Sequence, residues 1–170
     1  SEEHVTFLQQ SGRRYLVGTP KSALKRFERE LLAEDWEAIR DGLEVKKCPS
    51  PDGTETFILC RSADRREKEK AMHERFAARI RAGLAKIARA CGRGKQNPLV
   101  IERRVGRLLG QNSRAAGLFQ VRVTTRPQGG AQLTWTEVES WRAGSERSEG
   151  CYLLRSNVAD WTAEDLWRTY

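Results

Sequence analysis

Phosphodiester chemistry is the first possibility to weigh, because six aspartates, Asp35, Asp41, Asp52, Asp64, Asp160 and Asp165, stand on a basic background. Two-metal phosphoryl transfer needs several carboxylates converging on Mg²⁺ ions about 4 Å apart. Asp52 belongs to a turn, Asp64 and Asp160 read as helix caps or loop residues, and Asp35, Asp41 and Asp165 fall on expected helical faces. None closes a buried strand opposite a second acid, so no catalytic residue and no metal ligand set is expected within the chain. Gly92-Arg93-Gly94-Lys95 has the wrong spacing for a phosphate loop and follows a helix, which makes it a helix stop. His4, His73, Cys48, Cys60, Cys91 and Cys151 are scattered, with no Cys-x-x-Cys pair, so neither zinc ligation nor a Cys/His nucleophile is expected.

Basic residues are the positive signal. Lys and Arg number 31 against 23 Asp and Glu, a formal charge of +8, and the pI is near 9.7. Such a balance favours a polyanionic partner, most often nucleic acid, since each cation set against a phosphate releases counterions. The cations fall in clusters: Arg13-Arg14, Lys21 with Lys25-Arg26, Arg65-Arg66, and Arg103-Arg104 with Arg107. Lys21 and Lys25 follow a compact apolar strand, and strand ends are where α/β sheets place ligands. Arg65-Arg66-Glu67-Lys68-Glu69-Lys70 reads first as a solvated helix face, because acids alternate with the bases. The DNA-contact candidates are therefore Lys21, Lys25, Arg26, Arg65, Arg66, Arg103, Arg104 and Arg107. Trp36, Trp135, Trp141, Trp161 and Trp167 are expected in the core rather than as base-stacking platforms.

The elements that would position these residues follow from hydrophobic period. Ser1–Ser11 predicts a short amphipathic helix, and Arg14–Gly18 a compact strand. Ser22 caps a helix through Leu24 and Phe27, and a second helical stretch is expected over Glu28–Asp41. These read as a piece of an α/β layer. Leu43–Cys48 and Thr54–Arg61 then form a hairpin around Pro49-Ser50-Pro51-Asp52-Gly53; a symmetric turn at Pro51–Thr54 sets Cys48 opposite Phe57 and Cys60 opposite Val45. Met72, Phe76, Ile80, Leu84, Ile87 and Cys91 form one stripe on a long helix from about Ala63 to Cys91. A second helix over Pro98–Leu109 completes a helical hairpin. Alternation over Phe119–Val123 and Ala131–Trp135 gives a second β-hairpin. A polar stretch (Ser140–Glu149) precedes the strand Cys151–Leu154, and Thr162-Ala163-Glu164-Asp165 opens a last helix. The fold class expected is α/β of a mixed α+β kind. The cysteines are expected reduced and half-buried. No apolar run approaches membrane-spanning length and no signal peptide is seen, so the expected compartment is the cytoplasm.

Three segments together resemble bacterial insertion-sequence DDE transposases: Ser1–Lys25 (SEEHVTFLQQSGRRYLVGTPKSALK), Leu59–Met72 (LCRSADRREKEKAM) with Glu102–Gly117 (ERRVGRLLGQNSRAAG), and Gly150–Tyr170. The subgroup has an RNase H-like catalytic domain interrupted by a β-rich insertion before its last catalytic residue. The resemblance implies residues 1–42 as part of that core, 43–149 as an insertion of β-hairpins and a long helical hairpin, and 150–170 as the return to the core. It also implies that all three metal-binding acids lie outside Ser1–Tyr170. Two aspartates would come upstream, and the glutamate of a Tyr-Arg-Glu-Lys-type signature would follow shortly after Tyr170. Ser1-Glu2-Glu3-His4 as a helix start and Leu166, Trp167, Tyr170 as a helix cut short agree with that expectation. Mg²⁺ would serve the full-length enzyme and not this chain. Tyr170 would sit near a DNA backbone phosphate, and the expected partners are transposon-end DNA and a homo-oligomer or full-length transposase. The rival expectation is a truncated, non-catalytic protein that binds DNA or transposase through its helical hairpin. A third takes that hairpin as a coiled-coil interaction arm.

Overall fold

The computed structural model describes residues 2–50 and 52–170. Its elements run α1 (Glu2–Gln10), β1 (Leu16–Gly18), a 3₁₀ segment (Lys21–Phe27), α2 (Glu28–Leu32), β2 (Glu37–Arg40), β3 (Leu43–Pro49), β4 (Thr56–Ser62), α3 (Ala63–Gly92), α4 (Pro98–Gln111), α5 (Ser113–Ala116), β5 (Phe119–Thr125), β6 (Ala131–Glu137), α6 (Glu139–Ser148), β7 (Cys151–Ser156) and α7 (Ala163–Thr169). The fold class is α+β. Ser1 and Pro51, which open the first expected helix and the hairpin turn, lie outside the described residues.

The chain divides into two compact units, Ser1–Lys68 with Arg147–Tyr170, and Glu69–Glu146. The first holds a five-stranded sheet in the order β1-β7-β4-β3-β2, with every pairing antiparallel. A parallel α/β layer is therefore not formed. β3 and β4, which the resemblance assigns to the insertion, lie in this sheet with β4 paired to β7. Alternation along β4 sends Phe57 and Leu59 to one face with Leu24, Phe27 and Leu153, while Ile58 and Cys60 join Val45, Leu154, Val158 and Leu166 on the other. The hairpin register sets Cys48 opposite Phe57 and Val45 opposite Cys60, as the symmetric turn requires. None of the four cysteines forms a disulfide, and all are buried rather than half-buried. Burial pushes the Cys48 thiol up to about 11 and that of Cys60 to about 12, which leaves both protonated and inert.

One expected element needs correction. The helix expected over Glu28–Asp41 stops at Leu32; Ala33 is extended, and residues 37–40 form edge strand β2 against β3. Its acid- and alanine-rich sequence suits a helix, but pairing with β3 overrides that propensity. Most of the polar stretch before β7 forms helix α6 (Glu139–Ser148), with Trp141 packed against the core of the second unit.

In the second unit α3 contributes Ala77, Ile80, Leu84, Ile87 and Cys91 to a core completed by Ile101 and Val105 of α4 and by Phe119, Ala131 and Leu133 of the β5–β6 hairpin. Asn97 caps α4 by accepting from the Leu99 N–H at 2.9 Å, with Pro98 in the first turn. Gly106 lies on the exposed side of α4, where a Cβ would meet nothing within 4 Å. Gly106→Ala is therefore expected to stabilise the chain by about 0.8 kcal/mol, read as a higher urea midpoint with unchanged slope.

Candidate nucleic-acid interface

The nine residues singled out in the sequence fall in both units. Lys21, Lys25 and Arg26 are exposed on the 3₁₀ segment that follows β1, and the Arg26 guanidinium lies 5.9 Å from the Phe57 ring. The strand they follow is a three-residue edge strand in an antiparallel sheet, so the strand-end crevice of a parallel α/β sheet does not form there. Arg65 is exposed on the first turns of α3, its guanidinium 4.3 Å from the Tyr152 ring. Arg66 backs onto Gly150. Tyr170 is 64% exposed and stays joined to α7 through its N–H to Leu166 O at 3.2 Å. Its hydroxyl occupies the space a side chain at Gly18 would need. Arg103, Arg104 and Arg107 share the exposed side of α4, away from Ile101 and Val105.

The aspartates do not converge. Asp35 pairs with Lys46, which holds it below the usual carboxylate range. Asp52 accepts from the Ser50 hydroxyl and, at 3.2 Å, from the Thr54 N–H. Asp160 lies 3.5 Å from Arg14. Asp165 closes a capping box with Thr162 on α7. Asp35 and Asp41 sit in a loop and a turn rather than on helical faces. Among the described residues no group of three or more His, Cys, Asp or Glu could hold a metal ion. These side chains do not fit a Mg²⁺ pair, and no step is assigned through one.

A cavity of about 630 Å³ beside the β2–β3 turn is lined by Arg40, Arg61 and Arg66 but also by Asp41 and Glu44. Arg61 is spent on Glu44 at 2.7 Å. Opposed charges in one wall leave little pull on an anion. All five tryptophans pack against the hydrophobic clusters, Trp36, Trp161 and Trp167 in the first unit and Trp135 and Trp141 in the second.

Charge is distributed very unequally. The second unit carries fifteen Lys and Arg against six Glu, a net +9, which leaves the first at −1. Two of those glutamates are held by one arginine: Arg81 reaches Glu74 at 2.7 Å and Glu137 at 2.6 Å. Arg142 binds Glu137 as well, at 2.5 Å. From Arg75 to Ile101 the sequence has no acid at all, yet it holds Arg75, Arg79, Arg81, Lys86, Arg89, Arg93 and Lys95. Reading adjacent basic pairs misses this stretch, because its cations stand three or four residues apart. A count of absent acids would have found it.

No helix among the described residues is long and apolar enough to cross a membrane. No family model, curated protein or solved structure matches the chain.

Proposed function

We propose that the chain is a DNA-binding, non-catalytic part of an insertion-sequence DDE transposase of the RNase H-like class, acting in a bacterial cytoplasm. The observation that carries the DNA-binding half of this reading is the charge partition, +9 on Glu69–Glu146 against −1 on the remainder. A charge of that size on a unit whose glutamates are partly consumed by Arg81 and Arg142 favours a polyanion. The transposase half rests on the segments Ser1–Lys25, Leu59–Met72 with Glu102–Gly117, and Gly150–Tyr170. In the full enzyme Mg²⁺-dependent attack of a hydroxyl on a phosphodiester would cut and join DNA strands. This chain contributes support and backbone contact, with Lys21, Lys25 and Tyr170 toward the catalytic domain and Arg103, Arg104 and Arg107 on the helical hairpin.

The experiment pairs binding with cleavage. The full chain is expected to bind duplex DNA with an affinity that falls steeply as salt rises, and to leave the duplex uncut in Mg²⁺. Cleavage by the pure protein that EDTA abolishes would overturn the non-catalytic reading; binding indifferent to salt would overturn the electrostatic one. The interaction-arm reading draws on Leu99 and Val100, 62% and 45% exposed at the start of α4. Self-association unaffected by DNA in sedimentation would favour it instead.

A further inference from the structure

We infer that the outward face of α3 from Arg75 to Arg89, continued by Arg93 in the turn after it, is a ridge that grips the phosphate backbone of duplex DNA without reading its sequence, an inference that rests on the DNA-binding reading above. On a helix advancing about 100° per residue, Arg75, Arg79, Lys86 and Arg89 all fall within about 60° of the direction opposite the core stripe, and Arg93 stands in the turn that follows. That stripe is Ala77, Ile80, Leu84, Ile87 and Cys91, all buried. All five cations are exposed. The four on α3 extend over about 21 Å of helix at 1.5 Å per residue.

The ordinary explanation of an exposed basic helix face is pairing with acids one turn away. The sequence offers such acids to Arg65–Lys70, where Glu67 and Glu69 intervene, and offers none here. Glu74 is the last acid of α3, and Arg81, on the flank of the helix, engages it. Stabilisation of the helix dipole accounts for cations in the last turn, such as Arg89, but not for Arg75 and Arg79 several turns earlier. Packing also orders the start of the ridge. The part-buried Phe76 ring has the Arg75 guanidinium 5.9 Å from its centroid and that of Arg79 5.6 Å away. Two cations that share an anchored ring lose less freedom on meeting phosphates.

The face also selects its partner. Between the cations stand Ala78 and Ala82, both exposed, so a phosphodiester chain can approach closely. A protein partner would need a large apolar or aromatic anchor at the centre of the patch, and this face offers none. A membrane surface would need an apolar face to insert, and that of α3 is occupied by the core.

The test uses the full chain, a fluorescent random-sequence DNA duplex and a salt titration followed by anisotropy. Lys86→Gln with Arg89→Gln removes two ridge cations that have no structural bond among the described residues. Arg13→Gln with Arg14→Gln removes equal charge from the first unit. Losing two phosphate contacts should lower the slope of log K against log salt by about 1.8, on the order of a fiftyfold loss of affinity at 0.1 M relative to 1 M salt. The control pair should leave the slope nearly unchanged, and circular dichroism should show both variants folded. Equal loss in the two variants, or loss in neither, overturns the ridge while DNA binding stands. A wild-type chain that fails to bind DNA overturns both readings. A duplex RNA that binds at least tenfold tighter than the DNA overturns the choice of partner.

Discussion

Gly150→Ala is expected to destabilise the first unit by about 3 kcal/mol, the combined effect of backbone strain and steric conflict. Gly150 has φ +76°, a conformation that L side chains rarely adopt. A Cβ there would lie 2.5 Å from Ser62 O and 2.9 Å from Arg66 N, both backbone atoms at the start of α3. Neither can turn away as a side chain could. The Ser62 N–H also donates to Gly150 O at 3.1 Å, so relief by moving the loop would cost that bond. Gly53 separates the two contributions. It has φ +70° with nothing within 4 Å of a Cβ, so Gly53→Ala should show strain alone, about 1 kcal/mol. Thermal melting should register a fall on the order of 10 °C for Gly150→Ala and about a third of that for Gly53→Ala. Equal falls would mean that the close approach to Ser62 and Arg66 has no energetic weight.

What the sequence disclosed depended on period. The stripe on α3 and the alternation in β5 and β6 mark buried faces, the turn residues around Asp52 and Gly53 mark the β3–β4 hairpin, and those elements stand where the sequence puts them. β2 carried no such mark. Only Ile39 of its four residues is even partly buried, so a strand made by edge pairing looked like a polar helix. α6 was obscure for a related reason. Trp141 is its one large apolar residue and Gly144 interrupts it, so the sequence of this helix carries no apolar stripe. The candidate interface was legible as net charge and as the adjacent arginines of α4. The ridge on α3 was not, because residues three and four apart become neighbours only once the chain is coiled. Its other half, the missing acids, is information about what is absent.

Arg155→Met is the second large effect, expected to cost about 3 kcal/mol at neutral pH, the range for removing one member of a buried ion pair. Arg155 and Glu55 keep only 16% and 9% of their side-chain exposure and meet at 2.6 Å. The same guanidinium reaches Glu2 of α1 at 2.7 Å. The Tyr15 hydroxyl donates to Glu55, and the Gln9 amide donates to Tyr15 at 3.1 Å and to Glu55 at 3.2 Å. One carboxylate thus ties α1, the approach to β1, the start of β4, and β7 together. Burial, reinforced by the neighbouring carboxylate, pushes the Tyr15 phenol up to about 12. Burial works to raise Glu55 too, but the hydrogen bonds from Arg155 and Tyr15 outweigh it and hold the carboxyl below its ordinary value. A carboxylate lowered in the folded state contributes its full stability above its unfolded pKa, about 4.3, and loses it as pH falls through the folded value. Without Arg155 the sign reverses. Burial then dominates, Glu55 resists ionisation, and the variant loses stability as pH rises. The gap between the two proteins in urea midpoint should therefore be widest near neutrality and shrink in acid. Adding Glu55→Gln to Arg155→Met should restore part of the loss, since it removes the buried charge left unpaired. A double variant less stable than Arg155→Met alone, or a gap that does not change with pH, would show that the chain loses packing there rather than an ion pair.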